Sequence, residues 1–380
     1  MTNCSFRLPI VETKPSSLAK SPCCSSGFTI HQRNCRGVHD IRITEVEVIR
    51  YRCKSCGRTF THRPRGVSRS SKSLRVHAAA VLGYWLGLSF ERVAAFLAAI
   101  GIPIVKSTAF EYFQRAGSEA LRHRRGRACP ILRCAAADTT VFKVKGESII
   151  TSFIVDALSG KTISIQFLHK EDAETFVEDI RNALGATPEL LITDDADAYK
   201  GAAETLGSRH QVCQAHVKKN LIRRINRIRR EVPRGDRWYS PIKKDVRRLR
   251  GLVKRGKPLS IRLWKRAREI LPTYLPAAPP GKGERASPAY RMRLLLTELV
   301  EYGLNLFTFR RIKDRQGRHL LDGTNNVCER AIGLDGKIRY RMMRGAKSRR
   351  ALRRFLNLSA YIREKRLEGK LLIDLEPLVA

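Results

Sequence analysis

The sequence lacks an apolar run long enough to cross a membrane. Its longest uncharged stretch, Ala78–Phe90, is too short to span a bilayer and is typical of a core helix. The N-terminal residues carry acid and proline, and they lack the apolar segment of a secretory signal. Ten cysteines without such a signal favour the reducing cytoplasm, with metal-binding or structural roles rather than a disulfide framework.

Acidic residues are scarce relative to basic ones. The 380 residues include 74 Lys plus Arg and 35 Asp plus Glu, which gives a formal net charge of +39. A protein that acts on a neutral small molecule needs no such excess. The charge therefore favours a polyanionic partner, with nucleic acid ahead of an anionic membrane surface. The length predicts two or three domains.

Residues 21–62 predict a small β domain that could hold a metal. Ile41–Tyr51 alternates apolar and polar residues, as a half-buried strand does. Cys53 and Cys56 follow, two residues apart and ahead of Gly57. This spacing lets two thiolates reach one zinc ion from a tight turn, which is the pattern of a zinc knuckle.

The second pair of ligands for this zinc is incomplete. Ser21 stands where the first cysteine of a Cys-Pro-x-Cys knuckle would lie, and it leaves Cys24 in the other position. Cys23 or Cys35 is the candidate substitute for the fourth ligand of a structural zinc site. The alternative is a ribbon that has lost its zinc and folds through strand packing alone.

Residues 71–125 are predicted to be helical. Two short apolar helices come first, and Gly101–Pro103 then separates a third helix, for which Ser107 and Thr108 are N-cap candidates. Short helices joined by Gly/Pro turns fit a DNA-binding helix-turn-helix, with an ordinary helical bundle as the alternative. The charge of the chain favours the first of these interpretations.

Residues 132–200 change to an α/β pattern. A strand with Asp138 in its middle, two further strands, an amphipathic helix and the buried strand Leu190–Ile192 follow in order, and Asp194 comes just after the last. This order predicts a mixed sheet. Residues 217–271 then carry 21 Lys/Arg and 4 Asp/Glu at helical spacing, which predicts a basic helical insertion.

Three carboxylates, those of Asp138, Asp194 and Glu329, lie on elements that can converge. Glu329 lies at the start of a predicted helix, whose N-terminal signal is Thr324–Asn326. Each alone has a structural interpretation, as a turn residue, a helix N-cap or a first-turn acid. A buried carboxylate is nevertheless costly unless it is paired or binds a cation. Together the three predict an oxygen site for two Mg²⁺ or Mn²⁺ ions, which suits phosphodiester displacement.

At this point the sequence resembles a known family. The strand meander with its central Asp, "TDD…AY" after the fourth strand, "QVCQAH" after the fifth and "TNNVCER" on a late helix are similar to DDE transposases of prokaryotic insertion sequences. The resemblance covers residues 20–365. It implies a ribonuclease H-like catalytic core with a helical insertion, preceded by a zinc ribbon and a helix-turn-helix.

The resemblance also implies roles for single residues. Asp138, Asp194 and Glu329 correspond to the metal-binding triad, and Asp194 is preferred because it directly follows Thr193. Cys213 and His216 match a Cys-x-x-His element whose expected role is structural or DNA-contacting, and we do not assign them to a second zinc site. Asn326, Arg330 and Lys337 are further structural or DNA-contacting candidates.

One position departs from the family. Many members place Lys or Arg seven residues after the Glu, to meet the scissile phosphate, whereas here that position is Gly336 and Lys337 comes next. One residue turns an α-helical side chain by about 100°. Arg330 and Arg339 are therefore alternatives to Lys337 as the phosphate contact.

The resulting prediction is an α/β protein in three parts: a zinc-ribbon-like domain at 1–66, a helix-turn-helix region at 67–127 and a catalytic domain at 128–380, with the insertion at about 217–310. Its implied function is metal-dependent DNA strand cleavage and strand transfer at insertion-sequence ends. The expected partners are terminal inverted repeats, target DNA and a second copy of the chain, with no membrane. The alternatives are a non-catalytic DNA-binding regulator and a nuclease without strand transfer.

Overall fold

The computed structural model describes residues 5–125, 132–253, 258–342, 346–369 and 372–380. The chain divides into two compact units. The first comprises Met1–Ala128, Lys143–Ser148 and Gly333–Ala380, and the second comprises Cys129–Phe142 and Ile149–Ile332. Within the described ranges, no helix combines the length and the apolar character needed to cross a membrane.

Ten strands and thirteen α-helices follow one another along the described residues. The strands are β1 (Ser5–Arg7), β2 (Phe28–Gly37), β3 (Glu45–Cys53), β4 (Thr59–His62), β5 (Cys134–Val144), β6 (Glu147–Asp156), β7 (Thr162–Leu168), β8 (Leu190–Thr193), β9 (Arg209–Val212) and β10 (Leu372–Asp374). The helices are α1 (Leu74–Leu86), α2 (Phe90–Ala99), α3 (Lys106–Arg125), α4 (Ala173–Leu184), α5 (Asp197–Leu206), α6 (Gln214–Glu231), α7 (Tyr239–Leu252), α8 (Ile261–Tyr274), α9 (Pro288–Tyr302), α10 (Asn326–Ala331), α11 (Ile338–Met342), α12 (Arg349–Leu367) and α13 (Glu376–Val379).

The first unit contains a three-stranded sheet of order β2-β3-β4 with antiparallel neighbours. The rings of Phe28, Tyr51 and Phe60 pack together on it, with centroids 4.7–5.9 Å apart. Gly57, at φ 67°, makes the tight turn between β3 and β4 that the knuckle pattern predicted.

Helices α1 and α2 of the same unit begin at the serine caps Ser73 and Ser89. Helix α3 begins at Lys106, so the prediction that Ser107 or Thr108 caps it is wrong. Both lie inside its first turn. Helix α12 packs against α3, and Gly117 makes the close approach possible because a Cβ there would lie 2.6 Å from Cβ of Arg354.

A five-stranded sheet of order β7-β6-β5-β8-β9 is the centre of the second unit. β6 and β7 are antiparallel, whereas β8 is parallel to both β5 and β9. The prediction of an α/β core with a mixed sheet is confirmed. Helices α4 and α5 share a buried apolar core with β5 and β8, which includes Phe176, Ile180 and Tyr199.

The predicted helical insertion is also confirmed. Helices α6 to α9 follow β9 and lead to two 3-10 helices, Gly303–Leu306 and Thr308–Arg311. Buried side chains of all four helices form an apolar cluster of their own, which includes Ile225, Ile242 and Leu296. The basic residues between these apolar positions are therefore left on the outer faces of the helices.

Candidate metal centre

Asp138 and Asp194 are brought side by side by two parallel strands. The register pairs Ala136 of β5 with Ile192 of β8; two residues further, Asp138 lies within β5 and Asp194 directly follows the last residue of β8. Both aspartates therefore follow paired positions, at the edge of the sheet where β8 ends. Each is only partly exposed.

Glu329 reaches this edge through the start of α10. Asn325, which precedes the helix, is fully buried, and its Nδ2 donates a hydrogen bond of 2.9 Å to the carbonyl oxygen of Ala137. Ala137 directly precedes Asp138, so the amide fixes the first turn of α10 against the strand that carries the aspartate. Glu329 lies in that turn and is 42% exposed.

The pKa of Asp138 responds to its burial and to the charges of the other two carboxylates. Burial first, and then the negative charges of Asp194 and Glu329, raise the pKa of Asp138 to about 6, while a hydrogen bond from the backbone of Thr139 opposes the rise. The site therefore holds negative charge that the described protein groups only partly compensate. A divalent cation would neutralise it.

Cys213 and His216 lie beside Glu329. His216 Nδ1 is 3.7 Å from Oε1 of Glu329. Contact with the Cys213 sulfur, and then the charges of Cys213, Glu329 and Asp194, raise the pKa of His216 to about 9, against the opposing effect of burial. At neutral pH the imidazole is therefore a cation next to the carboxylates in the absence of metal.

Two buried glutamines in the "QVCQ" segment bind backbone groups of the insertion and of the segment that follows it. Gln211 donates to the carbonyl oxygen of Leu306 at 3.1 Å and accepts from the backbone N–H of Phe309 at 2.9 Å. Gln214 accepts from the backbone N–H of Leu259 at 2.7 Å. These hydrogen bonds were not predicted, because a sequence does not show which distant backbone groups need a partner.

Asp195 has a different environment from Asp194. Its carboxylate contacts the hydroxyl of Tyr302 on α9 and lies 3.4 Å from Nζ of Lys200. The Tyr302 hydroxyl also contacts Glu298 at 2.8 Å. Burial raises the pKa of Asp195, and Tyr302 and Lys200 oppose the rise. Asp195 therefore connects the Asp194 loop to the insertion, which leaves Asp194 as the candidate metal ligand of the pair.

The helix that carries Glu329 is not α-helical throughout. Residues Ile332–Lys337 form a π-helix, in which a turn holds more residues than an α-helical turn. The rotation of about 100° per residue used for Lys337 in the sequence prediction therefore does not apply beyond Ala331, since it is the α-helical value. Gly336 is buried, Arg330 and Lys337 are exposed, and Asn326 is partly exposed. The side chain of Arg339 lies outside the described residues.

A second group of metal-ligating residues lies in the first unit. The sulfurs of Cys23, Cys24, Cys53 and Cys56 all lie within 4.8 Å of one another. Cys23, rather than Cys35, joins Cys24 and the knuckle, and Cys35 is exposed on β2.

Serine hydroxyls contact one of these sulfurs. Oγ of Ser21 lies 3.4 Å from Sγ of Cys53, and Oγ of Ser26 lies 3.1 Å from it. These hydroxyls, together with backbone hydrogen bonds from Cys56 and Ser55, lower the pKa of the Cys53 thiol to about 5. A thiolate is the form that binds zinc. Burial and the neighbouring thiols raise the pKa of Cys23, and the thiol of Cys56 and burial raise the pKa of Cys24. Four clustered cysteine sulfurs are the number of ligands in a closed zinc site.

No protein-family model matches the chain, and no curated protein matches it. Some solved structures are similar to it. The HTLV-2 integrase catalytic core domain in complex with magnesium is 20% identical over 32% of this chain and 88% of its own, with a TM-score of 0.20. The Drosophila P element transposase strand transfer complex is 8% identical over 77% and 92%, with a TM-score of 0.40. The Mos1 transposase catalytic domain with raltegravir and Mn is 11% identical over 51% and 92%, with a TM-score of 0.19. At these identities and scores, the likenesses establish no activity, substrate or partner for this chain.

Proposed function

We propose that this protein is a DDE-type transposase that cleaves DNA at the ends of an insertion sequence and joins those ends to target DNA. The observation that carries the proposal is the strand register, which pairs Ala136 with Ile192, two residues before Asp138 and Asp194, together with the hydrogen bond that joins the start of the Glu329 helix to Ala137. Burial first, and then the charges of Asp194 and Glu329, raise the pKa of Asp138, and a bound divalent cation would offset both effects.

In this proposal Asp138, Asp194 and Glu329 hold Mg²⁺ or Mn²⁺. The bound ions would supply Lewis acidity to the attacking and leaving oxygens of an in-line displacement at phosphorus. Asn325 holds the helix of Glu329 in place, and His216 supplies a neighbouring positive charge. No serine or tyrosine needs to act as a protein nucleophile.

The proposed reaction has two steps of the same type. A water oxygen first bonds to a phosphorus at the element end, and the P–O3′ bond breaks, which frees a 3′-hydroxyl and leaves a 5′-phosphate on the flanking DNA. The 3′-oxygen then bonds to a phosphorus of target DNA, and the target P–O3′ bond breaks. One centre serves both steps because each is a displacement at phosphorus.

The basic surface of the insertion is proposed to hold the DNA. Arg229, Arg230 and Lys243 line a cavity of about 530 Å³ between α6 and α7 together with Asn226. Such a cluster binds phosphate groups without reading sequence. The three-stranded sheet, with one zinc ion on its four cysteines, and helices α1–α3 are proposed to read the element ends as a ribbon and a helix-turn-helix. Because two ends must react together, at least a dimer is expected on DNA.

The test uses end-labelled DNA of the element's own terminus with Mg²⁺ or Mn²⁺. The wild type should produce 3′-hydroxyl ends and then joined products, and Asp138→Ala should bind the DNA without producing either. A wild type that binds the ends and never cleaves them would favour the regulator. Cleavage without joined products would favour the nuclease.

A further inference from the structure

The Cys213 and His216 pair gains a third partner in the folded chain. The sequence supplies only two ligands here, whereas the fold adds the carboxylate of Glu329. One ligand atom of each of the three residues lies within 4.8 Å of the others. The nitrogen and oxygen of a tetrahedral zinc site are about 3.4 Å apart, and Nδ1 of His216 is 3.7 Å from Oε1 of Glu329. Only a small movement is needed to close this pair around an ion.

The surroundings of the three atoms also fit a metal. Nδ1 of His216 is buried and has no hydrogen-bond partner among the described residues. The sulfur of Cys213 is fully buried and accepts a hydrogen bond of 3.2 Å from the backbone N–H of Asn325. Backbone amides that donate to a ligating sulfur stabilise its charge and fix its orientation. An ion between the three groups would satisfy the unpartnered nitrogen.

The ligand chemistry selects the ion. A thiolate, an imidazole and one carboxylate suit Zn²⁺, whereas Mg²⁺ and Mn²⁺ prefer a shell of oxygen atoms. Three protein ligands leave the fourth position of a tetrahedral site open to water. The side chain of Glu329 is 42% exposed, so an ion can reach the site from solvent on that side.

We propose that Cys213, His216 and Glu329 form a zinc site that is distinct from the four-cysteine cluster and shares Glu329 with the Mg²⁺ or Mn²⁺ centre. Because this site uses Glu329, zinc there withdraws the glutamate from the neighbouring centre. Zinc is therefore an inhibitor of strand cleavage, a consequence that rests on the proposed function. Zinc binding itself does not rest on it.

Binding is tested with Co²⁺, which reports thiolate ligation through a sulfur-to-cobalt charge-transfer band. The full chain is used with Cys23, Cys24, Cys53 and Cys56 all changed to Ser. This protein should bind about one equivalent of Co²⁺ with the band, as expected of a single site, and Zn²⁺ should displace it. A further Cys213→Ser change should abolish the band. Cys328→Ser should keep it, because the Cys328 sulfur faces the carbonyl of Phe153.

Absence of the band, or a band that survives Cys213→Ser, overturns the proposal. If the fourfold variant fails to fold, the zinc content of the wild type and of Cys213→Ser is compared after equilibration with Zn²⁺. The wild type should hold about one equivalent more, the content of one site. Equal contents overturn the zinc site.

Inhibition is read separately, as the zinc concentration that halves cleavage in a fixed excess of Mn²⁺. Each protein is compared with its own uninhibited rate. Cys213→Ser should need at least about 10- to 100-fold more zinc than the wild type, since loss of even a group that only supports a ligand weakens metal binding by that factor. An unchanged concentration overturns the inhibitory role. If Co²⁺ binds and no metal supports cleavage, the proposed transposase function fails while the zinc site stands.

Discussion

The side-chain amide of Asn325 donates to the carbonyl oxygen of Ala137 at 2.9 Å, inside the second unit and away from solvent. This hydrogen bond joins the helix that carries Glu329 to the strand that carries Asp138. The backbone N–H of the same asparagine donates to Cys213. Asn325 therefore connects three elements that bear candidate ligands, although it is not a candidate ligand itself.

Changing Asn325→Ala should lower stability and activity together. Loss of the buried hydrogen bond leaves the Ala137 carbonyl without its amide donor, which costs about 1–3 kcal/mol. Cleavage should fall by about 10- to 100-fold, because a small displacement of Glu329 spoils the geometry of the centre. Thermal unfolding and single-turnover cleavage are the measurements.

The matched control is Asn326→Ala, one residue further and partly exposed. It should leave the melting temperature at the wild-type value, and only DNA affinity should change if Asn326 contacts DNA as the sequence predicted. Equal melting temperatures for the two variants would show that the Asn325 bridge contributes nothing.

Asp138→Asn should stabilise the metal-free protein at neutral pH. The folded-state pKa of Asp138 is raised from 3.8 to about 6, so the folded state binds more protons than the unfolded state between these values. Stability is then lost as pH rises through this window, by up to about 3 kcal/mol. The asparagine carries no charge and escapes this loss.

Thermal unfolding in EDTA across this pH range is the measurement. The melting temperature of Asp138→Asn should exceed that of the wild type at neutral pH, and the difference should shrink as pH falls from 6 toward 3.8. A variant that is less stable than the wild type at neutral pH would contradict the burial and the carboxylate repulsion that raise the pKa of Asp138.

Neutralising the exposed basic face of α6 should weaken the salt dependence of DNA binding. The variant Arg223→Gln, Arg229→Gln, Arg230→Gln removes three exposed charges. The slope of log affinity against log salt should fall by about 0.9 for each DNA phosphate that the variant no longer neutralises. The control carries Lys at the same three positions, and it should keep the wild-type slope. Equal slopes for the Gln and Lys variants would remove α6 from the DNA interface.

Zinc at the four-cysteine cluster should depend on Cys56 and not on Cys35. Cys23 and Cys56 lie 3.5 Å apart between their sulfurs, whereas Cys35 is exposed on β2. Elemental analysis of purified protein should show Cys56→Ser losing about one equivalent relative to the wild type, since a closed site needs all four ligands. Cys35→Ser should lose none. Zinc fully retained in Cys56→Ser would show that Cys56 is not a ligand, and less than about half an equivalent in the wild type would indicate a ribbon that folds without the metal.

The strands and the acidic residues on them were predictable because a buried strand has a recognisable local sequence pattern. Apolar alternation and short apolar runs located β5 and β8, and a carboxylate inside or just after such a run is conspicuous. The helical insertion was predictable for the same reason, since its apolar positions recur at helical spacing between arginines. The order of strands and helix then determined which strand ends lie together.

Other features depend on the packing of distant residues, and no local pattern marks them. Asn325 differs from Asn326 only in what the fold brings next to it. The π-helix at Ile332–Lys337 interrupts a sequence that otherwise reads as a continuous helix. The fold places Cys23, and not Cys35, beside the other three cysteines, and the spacing of the cysteines in the sequence does not show this. The partner of Asp195 lies 107 residues away on α9.

The most direct test of the account compares Asp194→Asn with Asp195→Asn in strand cleavage of the element's own end DNA in Mn²⁺. The two substitutions make the same chemical change at adjacent positions. Asp194→Asn should bind DNA as tightly as the wild type, because affinity comes from the basic surface, and its cleavage should fall to background. Asp195→Asn, whose carboxylate contacts Tyr302 rather than the metal centre, should retain cleavage. Near wild-type cleavage by Asp194→Asn would contradict the assignment of Asp194 as a metal ligand and, with it, the proposed catalytic centre.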